Sequence, residues 1–227
     1  MKVAIFVDGG FYRRRAQSVH GDISAAERAN ELETYCHRHL HFNKKNTSEG
    51  SDKVLYRIFY YDCPPMDKKV YHPLLKKQVD FSKTDLYTWT NTFFEELKKK
   101  RKFALRLGKL ADAQAHYTLK AKVIKDLCNG KIKFVDLTEK DFSINVEQKG
   151  VDMKIGIDIA SLAYKKQVDQ IILISGDSDF VPAAKLARRE GIDFILDPLG
   201  AAIKPDLFEH IDGLRSCDKL YIKPKNC

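Results

Sequence analysis

Short aliphatic runs that end in turn residues, each followed by a stretch of helical pattern, recur along this chain and leave few folds open. KVAIFVDGG (2–10) reads as a buried strand closed by Asp-Gly-Gly. KVLYRIFYYD (53–62) is rich in β-formers and is stopped by Pro64-Pro65. KFALRLGKL (102–110), DQIILIS (169–175) and DFILD (193–197) read as three further strands. Helical patterns fall between them at Ser24–Phe42, at Ala115–Leu127, over 150–166, and over FVPAAKLARRE, closed by Gly191. Another starts at about Thr84, where Leu86, Trp89, Phe93 and Leu97 share one face. KIKFVDL (131–137) predicts a short extra strand, and 138–150 a polar loop. Strands alternating with helices predict a three-layer α/β/α sandwich around a mainly parallel sheet of about five strands. One domain over 1–227 is expected, elaborated by a basic helical segment around 64–133.

The positive charge is unevenly spread. Between Lys98 and Lys133 there are twelve Lys and Arg against only Asp112 and Asp126, a net +10 in a chain whose total is +9. Such a block suits a polyanion such as nucleic acid, or an acidic membrane surface, although a solvated lysine face gives the same composition. Cys36, Cys63, Cys128, Cys217 and Cys227 are odd in number, with no C-x-x-C pair, which fits neither a disulfide framework nor a zinc ribbon. Reduced thiols point to the cytoplasm. VAIFV before Asp8 is too short for a signal peptide, and no apolar run approaches a membrane span.

The aspartates carry the chemistry. In parallel α/β sheets ligands bind beyond the carboxyl ends of the strands. Asp8 ends the first strand, and Asp177 and Asp179 follow IILIS directly. Val151, Ile155, Ile159 and Leu162 form a helical stripe that leaves Asp152 in a first turn. By simple alternation the start of that helix lies at the opposite edge, so the pattern alone groups three aspartates. Asp158, six residues on and about 240° around the helix, does not share the face of Asp152. Carboxylates drawn together repel one another and call for protons or a cation. Oxygen ligands without His or Cys select a hard cation, Mg²⁺ or Mn²⁺, which can hold phosphate and activate water for in-line attack. Each aspartate has a plainer role too: Asp179 suits a helix cap, Asp8 and Asp177 suit turns, and Asp152 suits the positive end of a helix dipole.

Together, FVDGG, KGVDMKIGIDIASLA and ILISGDSDFVPAAKLARREG resemble the NYN family of PIN-like nucleases, nearest its LabA-like bacterial branch. YYD-x-PP and LRLGKL are similar to that branch as well. The resemblance implies a PIN-like sheet whose acidic pocket binds Mg²⁺ or Mn²⁺ and hydrolyses RNA. It carries over onto Asp8, Asp152, Asp177 and Asp179 as catalytic and metal-binding residues, and it brings Asp152 into the group. One departure stands out: the family has an Asn soon after Asp-Gly, and here that place holds Phe11. Arg13, Arg14 and Arg15 follow and suit phosphate or a plain surface cluster. Lys98, Lys99, Lys100, Arg101 and Lys102 are the second set of candidate RNA contacts; the same charges also suit a helix end.

Other constellations fall away. GDSDF is similar to a phosphatase metal loop, but Asp8 lacks the second Asp such enzymes need two residues on. His37 and His41 share a helical face without further Cys or His to complete a zinc site. No G-x-x-x-x-G-K-[ST] or G-x-G-x-x-G is present. Two readings remain: a metal-dependent ribonuclease, or a catalytically weak RNA-binding regulator on the same fold. RNA is the partner in both, with no membrane, and a homo-oligomer is left open.

Overall fold

The computed structural model describes residues 1–41 and 53–222. The chain begins with β1 (Lys2–Asp8), α1 (Gly9–His20), α2 (Ala25–His41) and β2 (Val54–Asp62). A ribbon of β3 (Lys69–His72) and β4 (Lys77–Asp80) precedes α3 (Asp85–Lys99) and β5 (Phe103–Leu107). Next come β6 (Lys109–Leu110), β7 (His116–Leu119), α4 (Ala121–Cys128), β8 (Phe142–Asn145) and β9 (Gln148–Lys149). The remainder is α5 (Val151–Tyr164), β10 (Gln170–Ile174), α6 (Val181–Arg189), β11 (Asp193–Asp197), α7 (Pro205–Glu209), β12 (Gly213–Leu214) and α8 (Lys219–Ile222).

Six strands form the central sheet in the order β12-β11-β10-β1-β2-β5, and every neighbouring pair is parallel. The five expected strands are present; the short β12 makes the sixth. β1 is central and wholly apolar through Val3–Val7, all fully buried, because it is covered on both faces. Alternation along it feeds two cores. Val3, Ile5 and Val7 pack with Tyr12, Leu32, Tyr35 and Phe93 from α1, α2 and α3. Ala4 and Phe6 pack with Ile155, Ile159 and Ala184 from α5 and α6. Full burial of each such Ile or Phe contributes about 1.5–3 kcal/mol.

Local chemistry sets the helix starts. Ser24 and Glu27 exchange bonds to each other's backbone N–H, a capping box that opens α2. Thr84 accepts from Tyr87 N–H and opens α3, whose Phe93, Phe94 and Leu97 face the core. Gly9 lets α1 start hard against β2: a Cβ there would lie 2.6 Å from the carbonyl oxygen of Tyr61.

The segment elaborating the sheet carries α3 and α4, and with them ribbon strands that the sequence pattern does not predict. Residues 116–119 are a strand rather than the start of a helix, and 142–145 and 148–149 are strands rather than loop. Cross-strand packing accounts for the 116–119/142–145 pair: Tyr117 and Phe142 lie against the buried His72, with ring centroids at 4.2 and 5.0 Å, while His116, Ser143 and Asn145 stay exposed. The strand expected at 131–137 is instead a short 3₁₀ turn at Phe134–Asp136, closed by Asp136 accepting from Lys133 N–H. Phe42 and Cys227 lie outside the described residues. Cys36, Cys63, Cys128 and Cys217 are free thiols. No described helix is long and apolar enough to cross a membrane.

Candidate active site

Asp8 ends β1 at the carboxyl edge of the sheet, and both of its oxygens are engaged. Oδ1 accepts from Phe11 N–H at 3.0 Å, which caps α1, and Oδ2 accepts from Ser175 Oγ at 3.1 Å. Ser175 is fully buried just beyond β10 and also takes a bond from Asp177 N–H at 3.3 Å. Asp177 in turn accepts from Asp179 N–H at 3.0 Å, so it caps the turn Ser178–Phe180 that leads into α6. The plain capping roles of Asp8 and Asp177 are therefore real, and both carboxylates still stand at the mouth of the sheet. Asp177 and Asp179 are exposed; Asp8 is partly buried.

Asp152 stands with these residues. Burial raises the Asp8 carboxyl above the ordinary range, against hydrogen bonds from Phe11 and Ser175; Asp152 pushes it further up and Arg14 pulls it down. Desolvation raises Asp152 too, although its side chain is exposed, followed by repulsion from Asp177 and Asp179. The expectation that α5 begins at the opposite edge is thus corrected. A helix between parallel strands runs antiparallel to them, so its start lies where the preceding strand ends. Here β9 pairs with β6 just past β5, and Lys154 Nζ donates to the Leu107 carbonyl at 2.6 Å. Asp158 faces elsewhere, taking a bond from Tyr61 Oη at 2.8 Å and pairing with Arg106 at 3.3 Å.

Asp152 acts on Asp8 and is acted on by Asp177 and Asp179, yet no three acidic, imidazole or thiol groups among the described residues close into a direct ligand cage. An open arrangement of oxygen donors suits a cation that keeps much of its water, as Mg²⁺ does when held by one or two carboxylates. His37 and His41 are exposed and belong to no metal-holding group among the described residues.

The basic candidates separate sharply. Arg13 pairs at 2.9 Å with Asp62, which is fully buried, and Arg15 donates to the Leu199 carbonyl at 2.8 Å. Both hold loops of the carboxyl edge together instead of facing outward. Arg14 is exposed and acts on Asp8, so it is the member of the trio placed to meet an anion. Lys98, Lys99, Lys100, Arg101 and Lys102 do not border the aspartates. They join the end of α3 to the start of β5, at the amino edge, about 16 Å away along a five-residue strand. Lys98, Lys99 and Lys100 pair with Glu95, Glu96 and Glu33 at 2.6, 2.7 and 2.7 Å, and Lys102 donates to the Leu55 carbonyl.

Two aspartates at this edge escape a reading by motif. Asp62 ends β2 and accepts from Tyr60 Oη at 3.1 Å as well as from Arg13. Asp197 ends β11, fully buried, and gathers Tyr35, His39, Ser216 and the Leu199 N–H. Four adjacent strands thus deliver Asp62, Asp8, Ser175 and Asp197 to one edge, and the outer two are spent on structure. Gln148 reaches the same place: a Cβ on Gly10 would lie 3.6 Å from Asp8 Oδ1 and 3.9 Å from Gln148 Oε1.

Comparison with known proteins adds a family. Residues 84–203, just over half the chain, match the model of the NYN domain, a span that includes Asp152, Asp177 and Asp179 and starts after Asp8. Eighty residues are 30% identical to the uncharacterized protein y4oD of Sinorhizobium fredii, covering 34% of this chain and 37% of that one. The chain therefore aligns with little more than a third of that relative's length. A crystal structure of a Vibrio parahaemolyticus protein of unknown function covers 96% of this chain and 94% of its own, at 14% identity and a TM-score of 0.46.

Proposed function

The chain belongs to the NYN domain family, and from that premise we propose that it is a ribonuclease that hydrolyses RNA phosphodiester bonds with Mg²⁺ or Mn²⁺. The observation that carries this reading is the gathering at one sheet edge of Asp8, Asp152, Asp177 and Asp179, where Asp152 repels Asp8 and is repelled by Asp177 and Asp179, with Arg14 the cation that acts on Asp8. Capping accounts for Asp8 and Asp177 singly but not for their gathering with Asp152 and Asp179, and that gathering argues for a bound cation. Asp8, with the exposed Asp152, Asp177 and Asp179 around it, would hold it. A bound divalent cation would supply charge for the scissile phosphate and a water of lowered pKa. Ser175 keeps Asp8 in one orientation, and Arg14 offers a fixed positive charge to a phosphate oxygen. The segments YYD-x-PP and LRLGKL support the LabA-like branch.

RNA cleavage in the presence of Mn²⁺, abolished by chelator and lost in Asp177→Asn with the fold unchanged, is the expected result. Equal cleavage by the purified variant would remove Asp177 from the site. The second reading, a catalytically weak RNA-binding regulator, is favoured by Phe11, whose ring fills the place of the family's Asn. RNA bound firmly but never cut, with either metal, would select it.

A further inference from the structure

We propose that the ribbons β3–β4 and β7–β8, with α4 at their far end, form a platform that binds single-stranded RNA and leads it to the aspartate edge. This rests on the ribonuclease reading for its direction, though not for its binding partner.

Position comes first. β8 runs on into β9, β9 pairs with β6 beside the end of β5, and β9 passes through Gly150 straight into the turn that carries Asp152. Gln148 of β9 already lies beside Asp8. The two ribbons pack into one piece, because His72 is buried between Tyr117 and Phe142. Between this piece and α3 runs a cleft of about 180 Å³, lined by Pro64, Tyr87 and Ile144 and reaching Arg13 and Gln148. The ribbons meet the acidic site at Gln148 and through the chain from β9 into Asp152.

Charge comes second. The ribbons and their connections, 64–83 and 108–149, hold 13 Lys against 8 Asp and Glu. Lys76, Lys77, Lys109, Lys122 and Lys125 are exposed, and none has a carboxylate within ion-pair distance among the described residues. At the amino edge Lys98, Lys99 and Lys100 are each paired with a glutamate, which leaves Arg101 as the exposed cation of that run without a carboxylate partner among the described residues. The field left over for a polyanion thus lies on the ribbons, beside the aspartates, and not where the sequence is most densely basic.

Exposed rings come third. Lys69 and Tyr71 share the outward face of β3, opposite the buried Val70 and His72, and Tyr71 is 52% exposed. Phe134, the first residue of the 3₁₀ turn that follows α4, is 74% exposed next to Lys133. Lysines with free aromatic faces among them form the combination that holds unpaired bases, lysines on phosphate and rings on base faces. A duplex keeps its base faces stacked and leaves such rings without use.

Fluorescence anisotropy of a labelled oligouridine tests this, in EDTA so that nothing is cut. About 20 nucleotides exceeds the 4–16 that one such platform covers. Reversing Lys76, Lys77, Lys122 and Lys125 to Glu should weaken binding at least tenfold. It should also flatten the salt dependence, each lost single-strand phosphate contact removing about 0.7 from the log–log slope. Tyr71→Ala with Phe134→Ala should weaken binding at least fivefold and leave that slope alone. Lys98→Glu with Lys99→Glu, which changes net charge but not the platform, should stay within twofold of the parent. Unaltered affinity in the ribbon variants, equal loss in the Lys98/Lys99 control, or tighter binding of a duplex of the same length each overturns the proposal. Lys→Gln versions at the four positions, with circular dichroism matched to the parent, exclude misfolding. Mn²⁺-dependent cleavage of the same oligomer is scored separately. Binding that depends on the ribbons without any cleavage leaves the platform standing and removes the ribonuclease reading; cleavage and binding indifferent to the ribbons does the opposite.

Discussion

The ring of Phe11 is packed against the backbone of Gly176, so closely that a Cβ on Gly176 would stand 2.8 Å from Phe11 Cε2. An aromatic ring at this point joins the first turn of α1 to the loop that carries Asp177, where the resemblance to the NYN family implies a polar group. Phe11→Asn should restore that group and raise Mn²⁺-dependent cleavage while costing about 1–3 kcal/mol, less than the 3–5 of a fully buried Phe truncation. Gly176→Ala should cost about 1–3 kcal/mol through overpacking against the same ring. Urea denaturation and cleavage rates measured on both variants check this; a Phe11→Asn protein that is stable and no more active shows that Phe11 is not what limits chemistry.

Arg13 and Asp62 make a pair whose worth lies in what its rupture would leave behind. Asp62 is fully buried, and burial raises its carboxyl in spite of Arg13 and of bonds from Cys63 N–H and Tyr60. Arg13→Met should cost about 3 kcal/mol near neutral pH, the low end for a broken buried pair because Arg13 is partly exposed. A carboxyl raised in the folded state contributes stability that is full below its unfolded pKa and is lost as pH rises through the folded one. Without Arg13 that loss deepens, so the deficit of Arg13→Met should shrink on acidification. A deficit that is constant from acid to neutral pH would mean that the pair acts through packing alone.

The central strands were legible because burial on both faces leaves unbroken aliphatic runs, as in VAIFV and IILIS. The ribbons were not, since strands of four residues such as Lys69–His72 bury only Val70 and His72 and look like polar loop between lysines. Asp8 and Asp177 stood out by motif; Asp62 and Asp197 did not, because a strand-ending aspartate looks the same whether it waits for a ligand or is saturated by Arg13 or Tyr35. The density of positive charge at Lys98–Lys102 misled for a related reason. Sequence counts charges, while the field outside the protein depends on which charges Glu95, Glu96 and Glu33 already cancel and on which edge of the sheet they occupy.

His39 sits fully buried against Asp197 at 2.9 Å, and burial lowers its pKa from 6.5, with Asp197 opposing. Folding therefore favours the neutral ring, and the unfolded chain takes up the proton first as pH falls. Stability contributed by the neutral ring is present above the unfolded pKa and declines as pH drops below about 6.5. His39→Gln should flatten this acid-side decline even where it lowers stability at neutral pH. Thermal melts of parent and variant across that range decide it, and parallel curves would assign the acid sensitivity to other groups.

The acidic edge should respond to pH in the opposite sense, and to metal. Asp8 and Asp152 are raised by burial and by neighbouring carboxylates. Their contribution is full below the unfolded carboxylate range and falls as pH rises through the raised folded values. Asp152→Asn removes one of the repelling charges, so in EDTA it should melt a few degrees higher than the parent at neutral pH and much like it in acid. The same repulsion makes the parent the better cation binder. Mn²⁺ should therefore raise the parent's Tm more near pH 7.5 than at about pH 5, where proton competition with carboxylates of raised pKa is stronger. Asp8→Asn and Asp177→Asn should lose most of that metal-dependent rise, while Asp158→Asn, whose carboxyl serves Tyr61 and Arg106, should keep it. A metal response that survives Asp8→Asn and Asp177→Asn together would place the cation elsewhere. The grouping of these four aspartates would then need an explanation other than a bound ion.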